Sequence, residues 1–258
     1  MNNIKKILVP VDFSMASEKA LDYVSGLVKK DEEIEVTLLH ISSSEVSESE
    51  KQELEEKLTT TIDQRATNIP SSGYQISSGK LIETILKVQA TNSSDLIVMG
   101  TGGSSDDTET KTSDLVSQAD CPVLVVPENS KKFAVNNIAL ALGPNIIDNS
   151  GGLQILHDIA RTFGATVHVL TVNRDGKSPS IENENQKVLE YYLESLLYFH
   201  AFPENSDIEI GISDYIKQKN IDVLAILPRN HAKNNLPSEG RLTKLLTLHA
   251  EIPLLTID

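Results

Sequence analysis

Near the start of the chain, residues 4–11 read IKKILVPV, and a matching stretch, VNNIALAL, follows 131 residues later at residues 135–142. The run VTLLHI at residues 36–41 recurs at the same distance as VHVLTV at residues 167–172. Self-similarity at a fixed spacing indicates a repeated structural unit. The two matches therefore predict that one fold is built twice along the chain.

Two later apolar runs repeat as well. DLIVMG at residues 95–100 matches DVLAIL at residues 222–227, and PVLVV at residues 122–126 matches PLLTI at residues 253–257. All of these runs are short, rich in Val, Ile and Leu, and do not alternate with polar residues. That pattern is typical of strands buried on both faces of a parallel sheet.

Helical patterns lie between the strands. Ser14 is a candidate N-cap, and a buried stripe is expected at Ala20, Val24, Leu27 and Val28. The alternation of strand and helix predicts an α/β fold, with one doubly wound parallel sheet in each half. Further helices are expected over residues 45–66, 153–163 and 188–197, and we place the domains at residues 1–128 and 134–258, with a polar linker between them.

The composition narrows the classes of function. The chain has 258 residues and a net charge of −14, with 23 Lys and Arg against 37 Asp and Glu, which argues against binding a nucleic-acid backbone. Neither a signal peptide nor a membrane span is predicted. The single cysteine, Cys121, fits a reducing compartment, and the six histidines lack metal-ligand spacing. We therefore expect a cytoplasmic protein with no structural metal and no nucleic-acid or membrane partner.

Three motifs of the first half resemble the universal stress protein family. They are ILVPVDFS at residues 7–14, DLIVMGTGG at residues 95–103 and CPVLVVP at residues 121–127. Through the internal repeat, the resemblance extends over nearly the whole chain. It implies that each half is a Rossmann-like, five-stranded parallel sheet in the order 3-2-1-4-5, with helices on both faces.

The resemblance also has implications for assembly. The strands at residues 122–126 and 253–257 correspond to those that pair antiparallel in dimers of the family. The tandem chain is therefore expected to form an intramolecular pseudo-dimer. Further association into a homodimer is left open.

An adenine-nucleotide site in the first half is a further implication of the resemblance. Asp12 would lie near the phosphates or their metal ion, and Val11 and Ile41 would offer backbone atoms to the adenine. Gly100 and Gly103 match the first two glycines of the loop that holds the phosphates through backbone N–H groups. ATP or another adenine nucleotide is thus the cofactor to consider.

The remainder of that loop departs from the family pattern. It reads SSDDTETKT at residues 104–112, and the Gly-Ser pair that should follow is absent. Asp106, Asp107 and Glu109 put acidic groups where phosphate would bind. Each carboxylate within several ångströms of a triphosphate costs on the order of 1 kcal/mol. We therefore expect poor affinity for ATP in the first half.

The second half keeps the spacing of the loop and loses its chemistry. Leu227, Asn230 and Gly240 stand at the three glycine positions, and Gly143 replaces Asp12. Asn230 can adopt the left-handed backbone that glycine normally supplies. A remnant site for phosphate or another small anion at Asn230 and Gly240 therefore stays open.

Each candidate residue also has a structural explanation. Asp12 can fix the strand-to-helix turn together with Ser14, and the two glycines at positions 100 and 103 can permit a tight turn. Cys121 is expected to be a small packed residue. We interpret the aromatic residues near position 195 as one helical segment that contributes to a core or an interface, namely Tyr191, Tyr192, Tyr198, Phe199 and Phe202.

No arrangement typical of an enzyme is apparent: the sequence has no Walker A loop, no GxSxG and no evident Ser-His-Asp or paired-acid set. We therefore predict a protein without catalytic residues, acting as a stress-response binding or regulatory protein with at most a remnant nucleotide site. The alternatives are an interaction scaffold in which both sites are lost, and a weak ATP-binding protein or ATPase. The sequence does not identify the protein partner.

Overall fold

The short apolar runs of the sequence form the strands of two α/β units, Met1–Phe133 and Ala134–Asp258. The computed structural model describes residues 3–28, 33–65, 69, 71–102, 106–143, 147, 151–174, 183–227 and 251–257. None of the helices in these segments is both long enough and apolar enough to cross a membrane.

The first unit alternates strands and helices. Its sheet has the order β3-β2-β1-β4-β5, and every neighbouring pair is parallel. This confirms the predicted order 3-2-1-4-5. The elements are β1 (Lys6–Pro10), α1 (Met15–Val28), β2 (Glu35–Ser42), α2 (Glu48–Arg65), β3 (Ser71–Ser78), α3 (Leu81–Asn92), β4 (Leu96–Thr101), α4 (Asp106–Gln118) and β5 (Val123–Pro127).

The second unit repeats this topology. Its strands follow the order β8-β7-β6-β9-β10, again with every neighbouring pair parallel, which is 3-2-1-4-5 when they are counted within the unit. The elements are β6 (Asn137–Ala141), α5 (Leu153–Phe163), β7 (Thr166–Leu170), α6 (Asn183–Leu193), β8 (Tyr198–Ala201), α7 (Ile208–Lys219), β9 (Val223–Ile226) and β10 (Leu254–Thr256).

The two units share a side-chain device that fixes the register of their central strands. Asp95, just before β4, accepts hydrogen bonds at Oδ2 from the amides of Lys5 and Lys6, at 2.8 and 2.9 Å. Asp222, just before β9, does the same for the two amides at the start of β6, at 2.7 and 3.0 Å. These equivalent bonds support the alignment of the two halves at atomic detail. A carboxylate that accepts two backbone amides satisfies donors that the sheet leaves unpaired.

The hydrophobic core of the first unit contains the predicted stripe of α1. Ala20, Val24, Leu27 and Val28 are each at most 1% exposed. On its outer side, α1 is tied to α2 by Arg65, whose guanidinium contacts the carboxylates of Glu18 and Asp22 at 2.5 and 3.0 Å. The amphipathic pattern in the sequence therefore predicted both the helix and its buried face correctly.

Cys121 precedes β5 and is 8% exposed. Burial, with smaller contributions from Asp120 and Asp95, raises the pKa of its thiol to about 12. Because the thiolate is the reactive form, this cysteine is inert near neutral pH. The expectation of a packed residue is confirmed.

The helix expected over residues 188–197 is wrong at its end. Helix α6 covers Asn183–Leu193, and the chain then enters β8, so three of the five aromatic residues do not lie on a helix. The interpretation as core also fails for Tyr191, which is 76% exposed. A four-residue strand on the outside of a sheet is too short to show a two-residue period, and tertiary pairing with β7 decides its conformation.

Candidate functional site

The turn between β1 and α1 is organised by Asp12. Its Oδ1 atom accepts a hydrogen bond from the amide of Ser14 at 3.0 Å and another from the Ser14 hydroxyl at 2.5 Å. The Ser14 oxygen in turn accepts from the amide of Ser17 at 3.3 Å, which makes Ser14 the N-cap of α1. The structural explanation of Asp12 is thus present in full.

The same hydrogen bonds stabilise the ionised form of the Asp12 carboxyl group. Partial burial pushes the pKa of the carboxyl group upwards, but the hydrogen bonds from the Ser14 hydroxyl and amide, with a further one from Ser17, outweigh it. The pKa of Asp12 therefore lies below its ordinary value, and the group is ionised at neutral pH. Phe13, the next residue, has a φ of 64°, an uncommon left-handed conformation for an aromatic residue.

The backbone of Val11 is already hydrogen-bonded within the protein. Its amide donates to the carbonyl of Leu39 at 2.8 Å, and its carbonyl lies 2.9 Å from Nδ1 of His40. Because a carbonyl only accepts, Nδ1 of His40 must carry the proton. An adenine at this position would find the amide of Val11 occupied and would compete with His40 for the carbonyl. Ile41 lies at the end of β2 and is half-buried.

His40 was not singled out in the sequence. It stands at the carboxyl end of β2 and its ring lies 5.2 Å from that of Phe13. The signal was its place in the run VTLLHI, where a polar residue interrupts a buried strand directly before Ile41. Because the carboxyl ends of parallel strands meet at one edge of a sheet, such a residue lies beside the turn that follows β1.

Gly100 is needed for a close approach rather than for a turn. It belongs to β4, and a Cβ atom at this position would lie 2.0 Å from the carbonyl oxygen of Ala16, in the first turn of α1. Its φ is not among the positive values found in the described residues. The tight-turn interpretation of Gly100 is therefore wrong, and the glycine serves to let α1 pack against the sheet.

An acidic group that the sequence interpretation overlooked lies beside the loop after β4. A Cβ atom placed on Gly102 would be 3.3 Å from Oε2 of Glu128, and the amide of Glu128 bonds to the carbonyl of Thr101 at 2.9 Å. From the sequence, Glu128 is expected only as the last residue of the first domain. Its position at the end of β5, the neighbour of β4 in the sheet, was the available signal, and its charge opposes phosphate binding at this loop.

The sequence predicts a loop over residues 104–112, and this prediction is wrong for most of the segment. Helix α4 begins at Asp106 and continues to Gln118. Its first four residues include Asp106, Asp107 and Glu109, and acidic residues stabilise the start of a helix through its dipole. These three residues therefore belong to a helix and not to a loop. Gly103 itself lies outside the described residues.

The equivalent edge of the second unit is built differently. Among the described residues, no atom lies within 4 Å of a Cβ placed on Gly143, so none of them sterically excludes a side chain such as that of Asp12. Leu227 follows β9 at the position of Gly100. Helix α5 begins only at Leu153, and the backbone amide of Ile147 is bonded to Oδ1 of a buried Asn185 at 2.8 Å. Asn230 and Gly240 lie outside the described residues.

The structure brings together one serine, one histidine and one aspartate that we had not paired. Nε2 of His157 lies 3.0 Å from Oγ of Ser195, and Nδ1 lies 3.4 Å from Oδ1 of Asp158. Ser195 follows the end of α6, and the amides of the residues on either side of it are bonded to helix carbonyls. The carbonyl end of a helix repels an oxyanion, so the contact resembles a catalytic triad only in composition.

Across the part of the chain that the structure describes, no three His, Cys, Asp or Glu residues come close enough to hold a metal ion.

Residues 3–127 match the sequence model of the Universal stress protein family. No curated protein is significantly similar to the chain in sequence.

Solved structures share the fold over the whole chain. A universal stress protein from Archaeoglobus fulgidus DSM 4304 has a TM-score of 0.74, with 15% identity over 98% of this chain and 98% of that chain. A functionally unknown protein from Pseudomonas aeruginosa PAO1 has a TM-score of 0.61, with 17% identity over 98% of this chain and 92% of that chain. A universal stress protein in complex with cAMP has a TM-score of 0.41, with 13% identity over 49% of this chain and 98% of that chain, too distant for its ligand to inform this one.

Proposed function

We propose that this chain, whose residues 3–127 match the sequence model of the Universal stress protein family, is a stress-response binding or regulatory protein without catalytic activity. At most a remnant site for an adenine nucleotide lies at the carboxyl edge of the first sheet. The protein acts in the cytoplasm and exerts its effect through a protein partner.

The observation that carries this proposal is the role of Asp12 in the turn. Its Oδ1 accepts both the amide and the hydroxyl of Ser14, so the carboxylate is engaged in fixing the start of α1. Without a metal ion its negative charge repels phosphate, and Glu128 beside Gly102 adds a second negative charge at the same edge. Both features support the proposal that any nucleotide binding in the first unit is weak.

The second unit supports the same conclusion by a different route. It has Gly143 where the first unit has Asp12, and Leu227 where the first unit has Gly100. The amide of Ile147, near the start of α5, is bonded to Asn185 and is not available to an anion. The second unit therefore lacks both the strand-end carboxylate that the first unit has at residue 12 and a glycine at the end of β9.

The absence of catalysis is supported by the surroundings of Ser195. A serine nucleophile needs two or more N–H donors aimed at the oxyanion, and these are usually backbone amides. The amides of Glu194 and Leu196 instead bond to the carbonyls of Glu190 and Leu193, both at 2.9 Å. We therefore expect no acyl transfer at Ser195, and no labelling of it by a fluorophosphonate probe.

The decisive measurement is thermal unfolding with and without millimolar Mg-ATP, within a panel of adenine nucleotides. A ligand at 100 times its dissociation constant stabilises a fold by about 2.7 kcal/mol, and millimolar ATP reaches that ratio only if the dissociation constant is about 10 μM or lower. Such stabilisation would raise the melting temperature by several degrees. We expect no shift of that size and no release of phosphate above background.

The matched variants are Asp12→Asn, which keeps an oxygen for Ser14 and loses the charge, and Gly103→Val, which blocks the loop. A shift above about 4 °C that both variants abolish would restore ATP binding to the first unit and refute the proposal. Phosphate release that depends on the same residues would instead establish an ATPase.

An interaction scaffold with both sites lost is the second candidate. It is favoured by the exposed apolar residues of the second unit, where Tyr191 is 76% and Leu197 71% exposed. The two candidates differ in the nucleotide panel, since a scaffold shows no nucleotide-dependent shift at all. Any reproducible, saturable shift with one nucleotide would favour the remnant site.

A further inference from the structure

Among the described residues, the second sheet ends in a strand whose outer edge has no neighbouring strand. Strand β8 is the outermost strand, and on its inner side the carbonyls of Leu197, Ala201 and Pro203 accept hydrogen bonds from the β7 side at 2.8–3.0 Å. Backbone groups alternate between the two sides of a strand. The N–H and C=O groups of the even-numbered residues in between, Tyr198, His200 and Phe202, therefore point outwards. In the described segments, no strand pairs with this outer side.

This open edge is apolar on both faces. Phe199 is 42% exposed and lies with its ring 4.4 Å from that of His168. On the other face His200 stacks against Phe202, with the rings 6.3 Å apart and 13° from parallel. The whole run LYFHAFP at residues 197–203 contains no charged residue.

An apolar edge with no neighbouring strand in the described part of the chain is unusual in a natural protein. Natural sheets protect their outer strands with charged side chains, bulges or covering loops, because an open apolar edge pairs with any extended chain. The only proline of the run, Pro203, falls on the inner side, where it supplies a carbonyl and protects nothing. The edge is therefore suited to binding another chain.

The surrounding charge identifies what kind of chain fits. Glu194 precedes the strand, Glu204 follows it, and both are exposed. Glu190 on α6 lies close enough to His200 to oppose, electrostatically, the lowering of the pKa of His200 by burial. A second copy of this chain, with its net charge of −14, would bring acidic groups against acidic groups. Charge complementarity favours a basic partner.

We propose that the outer edge of β8 binds an extended basic segment of another protein by strand addition. The amides and carbonyls of Tyr198, His200 and Phe202 pair with the added strand, its apolar side chains pack on Phe199 and Phe202, and its Lys or Arg residues lie near Glu194 and Glu204. The site is in the second unit and does not depend on any nucleotide bound to the first.

The test uses the full chain and two seven-residue peptides, one of alternating lysine and valine and one of alternating glutamate and valine. Fluorescence anisotropy measures affinity, and amide hydrogen exchange by NMR locates the bound strand. We expect saturable binding of the lysine peptide, at least about tenfold tighter than binding of the glutamate peptide. We also expect slowed exchange at the amides of Tyr198, His200 and Phe202.

Two variants separate strand pairing from charge. His200→Pro removes an outward N–H without breaking a bond to β7, so the fold tolerates it, and it weakens binding about fivefold. The double variant Glu194→Lys/Glu204→Lys reverses the preference between the two peptides. The control, Glu53→Lys/Glu56→Lys on α2, makes the same change of net charge at exposed positions of the first unit and leaves binding unchanged.

Three results would overturn the proposal. The first is no binding of the lysine peptide up to millimolar concentration. The second is binding that leaves exchange at the three outward amides unaltered. The third is self-association of the free chain that His200→Pro abolishes, which would assign the edge to a second copy.

Discussion

At the carboxyl end of their first strands, the first unit has Asp12 and the second has Gly143. At the end of their fourth strands, the first has Gly100 and the second Leu227. The sheets are otherwise alike in order and in the carboxylates that join β4 to β1 and β9 to β6. This difference shows that residues at the carboxyl edge of the sheet can change without changing the fold. The strand register and the hydrophobic core depend on the buried strands, which are alike in the two units.

The largest expected effect comes from placing the second unit's residue in the first. Gly100→Leu brings a side chain against the carbonyl of Ala16, which a Cβ atom would already approach to 2.0 Å. We expect the free energy of unfolding of the first unit to fall by about 3 kcal/mol, because α1 must move away from β4. Urea denaturation followed by circular dichroism measures the loss.

The control for this substitution is Gly73→Ala on β3, where no atom lies within 4 Å of the added Cβ. We expect it to leave stability nearly unchanged. If Gly100→Leu were equally harmless, α1 would not depend on its close approach to β4, and the contrast between Gly100 and Leu227 would have no structural meaning.

The next effect concerns the turn after the first strand. Asp12→Ala removes the acceptor for Ser14 and should lower stability by about 1 kcal/mol, the usual loss for a helix-capping side chain. Because the pKa of Asp12 is lowered in the folded state, its stabilisation is complete above the unfolded pKa and disappears as the pH falls through the folded value.

Asp12→Asn keeps an oxygen acceptor and tests whether charge matters to the turn. Gly143→Asp makes the reverse change in the second unit, where the space is open. Thermal unfolding at pH 7 should rank Asp12→Ala below Asp12→Asn, with Gly143→Asp close to the wild type. Equal melting temperatures for the two Asp12 variants, both below that of the wild type, would show that the acceptor stabilises the turn only when it is charged. Melting temperatures of both variants equal to that of the wild type would show that the hydrogen bonds to Ser14 do not stabilise the turn.

A smaller effect is expected on nucleotide affinity in the first unit. Asp106→Lys/Asp107→Lys removes two like charges near the phosphate loop and should raise affinity for ATP several-fold, since water and salt screen the repulsion of each carboxylate to less than about 1 kcal/mol. Isothermal titration calorimetry measures the change. Asp114→Lys, an exposed site later on α4, controls for net charge and should gain less. Unchanged affinity in the double variant would show that the acidic segment does not limit ATP binding.

The smallest expected effect is a dependence on pH in the second unit. Burial lowers the pKa values of His168 and His200, the latter against an opposing contribution from Glu190, so the folded state favours the neutral rings. Their contribution to stability is present above the unfolded pKa and is lost as the pH falls towards the lower folded values. The protection factors of the amides in β7 and β8, which are corrected for the intrinsic pH dependence of exchange, should fall between about pH 7.5 and pH 5.5.

The variants His168→Gln and His200→Gln should each reduce this loss of protection. The first unit supplies the comparison, since His40 is its only histidine among the six of the chain. A loss of protection of equal size in β1 and β2 would mean that acid destabilises the whole chain and not the histidine-bearing strands.

The sequence predicted the parts of the fold that depend on buried apolar runs. Strands β1, β2, β4 and β5 and their repeats are rich in Val, Ile and Leu, which is the pattern typical of parallel strands buried on both faces of a sheet. The third strands were not located, because β3 reads SSGYQISS and β8 has only four residues. Their pairing with a neighbour, and not their own pattern, makes them strands.

The candidate site was predictable only in part. The place of Asp12, at the end of a buried strand and before a helix cap, follows from local pattern. The role of Gly100 does not, because it depends on how closely another helix packs. Glu128 and His40 are distant in sequence from the residues beside them, and only the order of the strands brings them to the same edge.

The carboxylate of Asp95 has a consequence for how the chain is made. It joins backbone amides that lie 90 residues earlier, and Asp222 closes a span of 86 residues in the second unit. At ordinary rates of translation, β1 emerges from the ribosome on the order of ten seconds before the partner that completes its pairing. During that interval its apolar surface needs protection. The first unit can then close before the second has been synthesised.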